Sequence, residues 1–455
     1  MDPTLSRTDY RSLSFWHDTV PDSLEPRAPL PGDGRTDVAI IGGGLTGLWT
    51  AYYLLEREPG IRITVLEKEI AGFGASGRNG GWCSALFPAS TRALERAHGL
   101  PAALAMRQAM VETVDEVGRV ASLEGIDCDF VKGGTLSLAR SEVQLRAARA
   151  EVAEADHYGV DRIRLRDDAP GDALAASFDP ACARLHPAKL VRGLARSLER
   201  RGVVIHEGTE VLDWAPRSVT TARGTLECDT VVVALEGYGA TLPKTRRDVL
   251  PLYSLMIATE PLSDAVWDDI GIEHGQTFTD FRHLLIYGQR TADNRFAFGG
   301  RGARYHWGSA IRGEYDRVPR VFEHLRDTLV DLFPPAAEAR VTHSWGGPLG
   351  VPRDWHATAS FDPDTRIARA GGYVGDGLST TNLAGRTLAD LISGLETALT
   401  GLPWVNHASP RWEPEPLRFI GSNLGLVAMT AADAEERVTR RPSIAARLMG
   451  PLTGH

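Results

Sequence analysis

The chain has 455 residues, material for two or three domains, with 43% hydrophobic and 24% charged residues, an ordinary globular balance that needs no disulfide or metal staple. A formal charge of −9 argues against nucleic acid or an anionic membrane as the main partner, and no run approaches the roughly 18 apolar residues of a membrane span. Cys83, Cys128, Cys182 and Cys228 are scattered without a C-x-x-C pair, so neither a metal site nor a disulfide framework is expected, and Met1–Pro31 lacks the apolar centre of a signal peptide; a cytoplasmic location fits.

Residues 1–35 form a polar lead-in with Phe15 and Trp16 as its anchors. Asp37–Ile41 is a short apolar strand, Leu45–Glu56 a helix and Ile61–Leu66 a second strand, together one βαβ unit. Ala89–Glu124 has helical apolar spacing. Phe130–Leu138 is a strand interrupted by Gly133 and Gly134, and Glu142–Tyr158 is again helical. Ala188–Arg201 is an amphipathic helix stopped by Gly202. Val203–His206, Thr209–Trp214 and Cys228–Ala234 are strands, the last of the buried parallel type. From Val249 to about Gly300 the pattern becomes antiparallel. Helices follow at Arg317–Phe333 and Leu378–Leu391, and residues 403–455 are proline-rich, then helical.

The strongest motif is Gly42-Gly43-Gly44-Leu45-Thr46-Gly47, a G-x-G-x-x-G between strand and helix. Gly42 permits the tight turn, Gly44 lets a pyrophosphate approach the backbone, and Gly47 lets helix and strand pack closely. The helix N-terminus at Leu45 and Thr46 then aims free N–H groups at the phosphates. Glu67, followed by Lys68, ends the second strand, where a carboxylate binds ribose hydroxyls. A second glycine-rich loop, GFGASGRNGG from Gly72 to Gly81, follows directly. An NAD site has no use for it. A flavin does, through close backbone contact and hydrogen bonds at Gly74, Ala75, Ser76, Arg78, Asn79, Gly80 and Gly81. A third segment, Gly375-Asp376-Gly377-Leu378-Ser379-Thr380, feeds another helix N-terminus, suited to the side of a flavin ring where reduction builds negative charge. Taken alone, it is equally a turn with a hydroxyl cap.

With these motifs together, the sequence resembles the D-amino-acid oxidase family of flavoenzymes, in the branch of gamma-glutamylputrescine oxidase, sarcosine oxidase and glycine oxidase. Further echoes are Pro251–Leu262 and Trp345-Gly346-Gly347, and the likeness spans roughly residues 35–400. The resemblance implies an α/β fold: a Rossmann-like FAD-binding domain plus an α+β substrate domain with a mostly antiparallel sheet. The expected division is 1–90, 160–245 and 340–400 for FAD, 91–159 and 246–339 for substrate, and 401–455 as a tail. It also implies that Val211 meets the adenine and that Gly237 lies beside the phosphates. Three departures stand out. No cysteine follows Cys228, so the flavin attachment of some members is absent and FAD is expected to be non-covalent. Ala297 falls where sarcosine oxidases carry a lysine that helps oxygen react. Asp376 stands where a histidine is usual.

The resemblance implies hydride transfer from the carbon next to a substrate nitrogen to flavin N5, giving an imine that hydrolyses, with oxygen or another acceptor taking the electrons. The protein positions a small amine or amino acid, so no loud catalytic motif is required. Tyr287, Arg301 and Trp82 are the candidates beside the ring, with Arg301 or Arg304 able to clamp a carboxylate. Each also has a plain reading, as a surface arginine or a packed aromatic. Tyr253 and Trp345 are weaker candidates, and His186 reads as structural. Two alternatives stay open. One is an FAD-dependent aromatic hydroxylase, although Thr380 stands where its G-D-x-x-x-P segment needs proline. The other is a non-catalytic protein on an FAD fold.

Overall fold

In the computed structural model, residues 9–160 and 162–443 are described. Two large sheets dominate. The first has six strands in the order Thr358–Asp362, Ile367–Gly371, Thr230–Val233, Val38–Ile41, Ile63–Leu66 and Val204–His206, all parallel except the first pair. Its central strands, VAII, ITVL and TVVV, are buried on both faces, which is why they read as continuous apolar runs. Val38 and Ile40 point to one face, into a core shared with the helices Leu45–Arg57, Leu100–Leu123 and Gly377–Ile392. Ala39 and Ile41 point to the other, against Val211, Trp214 and Val219 of a four-stranded sheet.

The second large sheet has eight strands in the order Val341–Val351, Leu250–Thr259, Phe296–Arg301, Ile286–Arg290, Thr277–Asp280, Thr135–Ala139, Ala175–Asp179 and Arg164–Arg166. Only the Thr277–Asp280 and Thr135–Ala139 pair is parallel. The helix Pro319–Leu332 lays Leu325, Leu329 and Leu332, one helical stripe, on Phe278, Phe296 and Phe298 of this sheet. The expected α/β fold with a mostly antiparallel second sheet is therefore present.

Local differences have local causes. The helix expected over Ala89–Glu124 is two helices, Thr91–His98 and Leu100–Leu123, because Gly99 adopts φ +84° and Pro101 follows. The strand expected from Phe130 starts only at Thr135, since Gly134 is at φ +80° with no room for a side chain beside Phe178. The hairpin Ser218–Thr221 and Gly224–Glu227 has no strong pattern and was not expected. The sheets also redraw the division of the chain. Arg164–Arg166, Ala175–Asp179 and Val341–Val351, expected with the FAD-binding part, pair inside the eight-stranded sheet. Phe15 and Trp16 are buried anchors as expected, and Trp16 Nε1 donates to Asn79 O at 2.8 Å, tying the lead-in to the second glycine loop.

Candidate functional site

A cavity of about 860 Å³ runs from the carboxyl ends of Val38–Ile41 and Ile63–Leu66 to the antiparallel sheet. One end is walled by Glu67, Lys68, Glu210 and Val211. Glu67 accepts the N–H of Gly43 at 2.7 Å and of Glu69 at 2.9 Å. Burial pushes its carboxyl up to about 7, against the pull of those two N–H groups. Lys68 is held at 2.7 Å from Glu210.

The middle of the cavity is lined by backbone that tolerates no side chain. Gly42 has φ +108°, and a Cβ there would lie 2.4 Å from Ala234 O. A Cβ at Gly44 would lie 2.9 Å from Ser76 Oγ, which accepts the Leu45 N–H at 2.8 Å. The helices starting at Leu45 and Gly377 both open onto the cavity; neither N-cap residue, Gly44 or Asp376, bonds its own helix through a side chain, and at the first helix Ser76 takes up the Leu45 N–H. Two positive helix ends thus face one elongated cavity, an arrangement suited to a ligand with a pyrophosphate at one point and developing negative charge at another. Gly74, Ala75, Ser76, Arg78, Asn79 and Gly80 line the same wall. Arg78 is buried, donating to Asp316 Oδ2 at 2.7 Å, Gly346 O at 3.0 Å and Tyr238 OH at 2.8 Å.

At the far end Trp82, Tyr287, Arg301, Trp355 and Asp376 converge. Tyr287 OH lies 2.7 Å from Ser254 Oγ, and its ring meets Trp82 edge-on at 6.2 Å. Trp82 Nε1 donates to Gly288 O at 3.0 Å. Arg301 donates to Val374 O at 2.7 Å and lies over the Trp355 ring at 5.4 Å. Among the described residues, Arg78, Arg282 and Arg312 of the cavity wall each have a carboxylate within 4 Å, and Arg301 has none. Burial pushes Asp376 up to about 6 while the charge of Arg301 pulls it down. Asp376 is half-exposed, but to the cavity.

Several expected site residues lie elsewhere. Gly47 is packed against Gly42 O, the close helix–strand contact expected of it, and does not reach the cavity. Gly81 sits behind the wall, where a Cβ would overlap Gln289 and Leu185. Gly237 is turned toward Pro348–Gly350; its neighbours Glu236 and Tyr238 line the cavity instead. Ser379 and Thr380 bond to Ser84 O and Asp376 O and face the protein interior, with Leu378 and Gly377 on the wall. Arg304 is exposed, Tyr253 and Trp345 are buried off the wall, and Trp345 supports the glycine loop through Arg78 O at 2.9 Å. His186 caps the helix Pro187–Arg200, the structural role expected.

Glu236 was missed. It lines the cavity, accepts the N–H of Gly350 at 3.1 Å and of Gly372 at 2.9 Å, and is pushed up to about 7 by burial. A carboxylate just past a buried apolar strand was its sequence signal. Asp316 and Trp355 gave none, being joined to the site only through folding, whereas Tyr373 stands two residues before Gly375 in the third glycine-rich segment.

The fold and this cavity define a flavin-dinucleotide enzyme, with the glycine cradles, the two helix N-termini and Glu67 fitting FAD. Residues 37–391 match the model of the FAD dependent oxidoreductase family, and the chain belongs to that family. It is 31% identical over 390 residues to a probable oxidoreductase, OrdL, of Haemophilus influenzae, covering 82% of this chain and 86% of that one. It is 30% identical over 377 residues to gamma-glutamylputrescine oxidoreductase of Escherichia coli, covering 79% and 84%. The crystal structure of glycine oxidase from Geobacillus kaustophilus superposes with a TM-score of 0.67 at 21% identity, over 82% of this chain and 99% of that chain. The protein is an FAD-dependent oxidoreductase.

Proposed function

We propose that the protein oxidises the C–N bond of a small amine that also carries a carboxylate. The observation behind this reading is Arg301, a cavity-facing guanidinium that, among the described residues, has no carboxylate within 4 Å, at the end of the cavity away from Glu67. A bound carboxylate completes it by a bidentate, charge-assisted contact. Related proteins named for glycine and gamma-glutamylputrescine support the amine part, and both compounds bear a carboxylate, at different distances from the reacting nitrogen.

FAD, when bound, supplies the two-electron acceptor for hydride from the carbon next to nitrogen. The chain's own groups hold the substrate. Arg301 fixes the anionic end. Asp376, ionised above about pH 6, faces the ammonium and draws its proton toward Oδ as the amine becomes neutral. Trp82, Tyr287 and Trp355 wall that end and exclude water. Gly42, Gly44, Ser76 and the two helix ends would hold the pyrophosphate and ring of FAD, and Glu67 its ribose. Among the described residues no cysteine lines the cavity, which supports non-covalent FAD. The aromatic hydroxylase alternative has no comparable support, since Thr380 is a buried helical residue off the cavity wall.

Arg301→Ala tests the reading. Loss of a charge-assisted contact of about 1.5–3 kcal/mol raises KM for glycine or sarcosine roughly 10- to 100-fold, while a neutral amine substrate is little affected. An equal effect on both classes removes Arg301 as the carboxylate anchor.

A further inference from the structure

The helix Leu417–Thr439 lies beyond the residues matched by the family, 37–391, yet reaches back to two loops of the cavity. Asp433 accepts the backbone N–H of His283 at 2.7 Å and of Leu284 at 3.0 Å. Glu436 lies 3.0 Å from His283 Nε2. Just ahead of the helix, Glu415 accepts from Tyr305 OH at 2.6 Å and from Gly308 N–H at 3.0 Å. Asn423 donates to Tyr305 O at 3.2 Å. The same two loops wall the cavity on their inner sides, with Arg282, His283 and Leu285 in the first and Ile311 and Arg312 in the second.

Two features make these links decisive. A carboxylate that accepts two consecutive backbone N–H groups makes a charge-assisted pair, stronger than neutral hydrogen bonds. The helix also adds almost nothing to the core, since of its 23 residues only Arg418 and Ala432 are buried. Its attachment therefore depends on polar contacts more than on apolar burial, the condition for an element that opens locally without global unfolding.

We propose that this helix is a brace that sets the opening of the substrate end of the cavity, with Asp433 and Glu415 as positioning residues. Neither lines the cavity. They act through the loops 282–285 and 305–312, whichever amine is oxidised.

The test is Asp433→Ala in the full-length, FAD-loaded protein, with Asp433→Asn beside it. Amide hydrogen exchange over 281–285 should speed up by at least about tenfold on loss of the two charge-assisted bonds, with the glycine loops 42–47 and 72–81 unchanged. KM for an amine that reduces the wild-type flavin should rise by a similar factor, while the limiting rate of flavin reduction stays within about threefold. Asp433→Asn, which keeps one acceptor oxygen, should fall between. Unchanged exchange and KM in Asp433→Ala would overturn the proposal. So would faster exchange throughout the chain with loss of FAD, because that marks general destabilisation. If no amine reduces the wild-type flavin, the proposed function fails while the exchange measurement still decides the brace.

Discussion

Glu67 is the single residue at which the proposed FAD site would couple cofactor binding to pH. Its folded carboxyl titrates near 7, above the ordinary glutamate value of 4.5. A raised carboxyl pKa means the ligand-free folded state holds this proton more tightly than the unfolded chain does. Its contribution to stability is thus favourable at low pH and is lost as pH rises from about 4.5 to about 7. On the proposed reading, ribose hydroxyls would donate to Glu67 and favour the ionised form, so FAD binding would release the proton. FAD affinity should be full above about pH 7 and fall below it, by up to about tenfold per pH unit. Fluorescence of released FAD between pH 8 and 5.5 measures this. Glu67→Gln should flatten the profile, and an unchanged slope in that variant would assign the titration elsewhere. Glu67 and Arg301 were both legible in the sequence, one from its place after a strand, the other from a family likeness. That Arg301 is, among the described residues, the cavity arginine without a carboxylate was not legible, because Arg78, Arg282 and Arg312 meet Asp316, Asp280 and Glu314 only through folding.

At the scale of elements, the βαβ unit was the most readable part of the chain. Val38–Ile41, Leu45–Arg57 and Ile63–Leu66 carry period, length and glycine spacing that agree with one another. Gly42→Ala should destabilise the protein by about 2 kcal/mol or more, since the new Cβ meets a carbonyl at positive φ. Gly60→Ala, with nothing within 4 Å, is the matched control and should be neutral. Thermal unfolding with and without added FAD checks both, and equal loss in the two variants would contradict the assignment. The expected residues that fall off the cavity wall share a cause. Gly81, Gly237, Ser379 and Thr380 lie one or two positions from residues that do line the cavity. A motif identifies a loop, but which side of it faces the ligand is set by packing against Gln289, Pro348 and Ser84.

Over the whole molecule, the chain passes repeatedly between the two large sheets, and the cavity lies where they meet. Segment boundaries were hard to read because 160–245 and 340–400 each hold strands of both sheets. The four cysteines are buried and none lines the cavity, so acid precipitation should release all the yellow colour into the supernatant; colour retained in the pellet would contradict non-covalent binding. The central claim, oxidation of a carboxylate-bearing amine, is tested most directly by the anaerobic flavin absorbance. Glycine, sarcosine, iminodiacetate and a gamma-glutamyl polyamine would be added in turn, with neutral amines of similar size alongside. At least one carboxylate-bearing amine should bleach the flavin, and its neutral counterpart should do so little. Bleaching by neutral amines alone, or by none of them in protein that carries FAD, would contradict that claim.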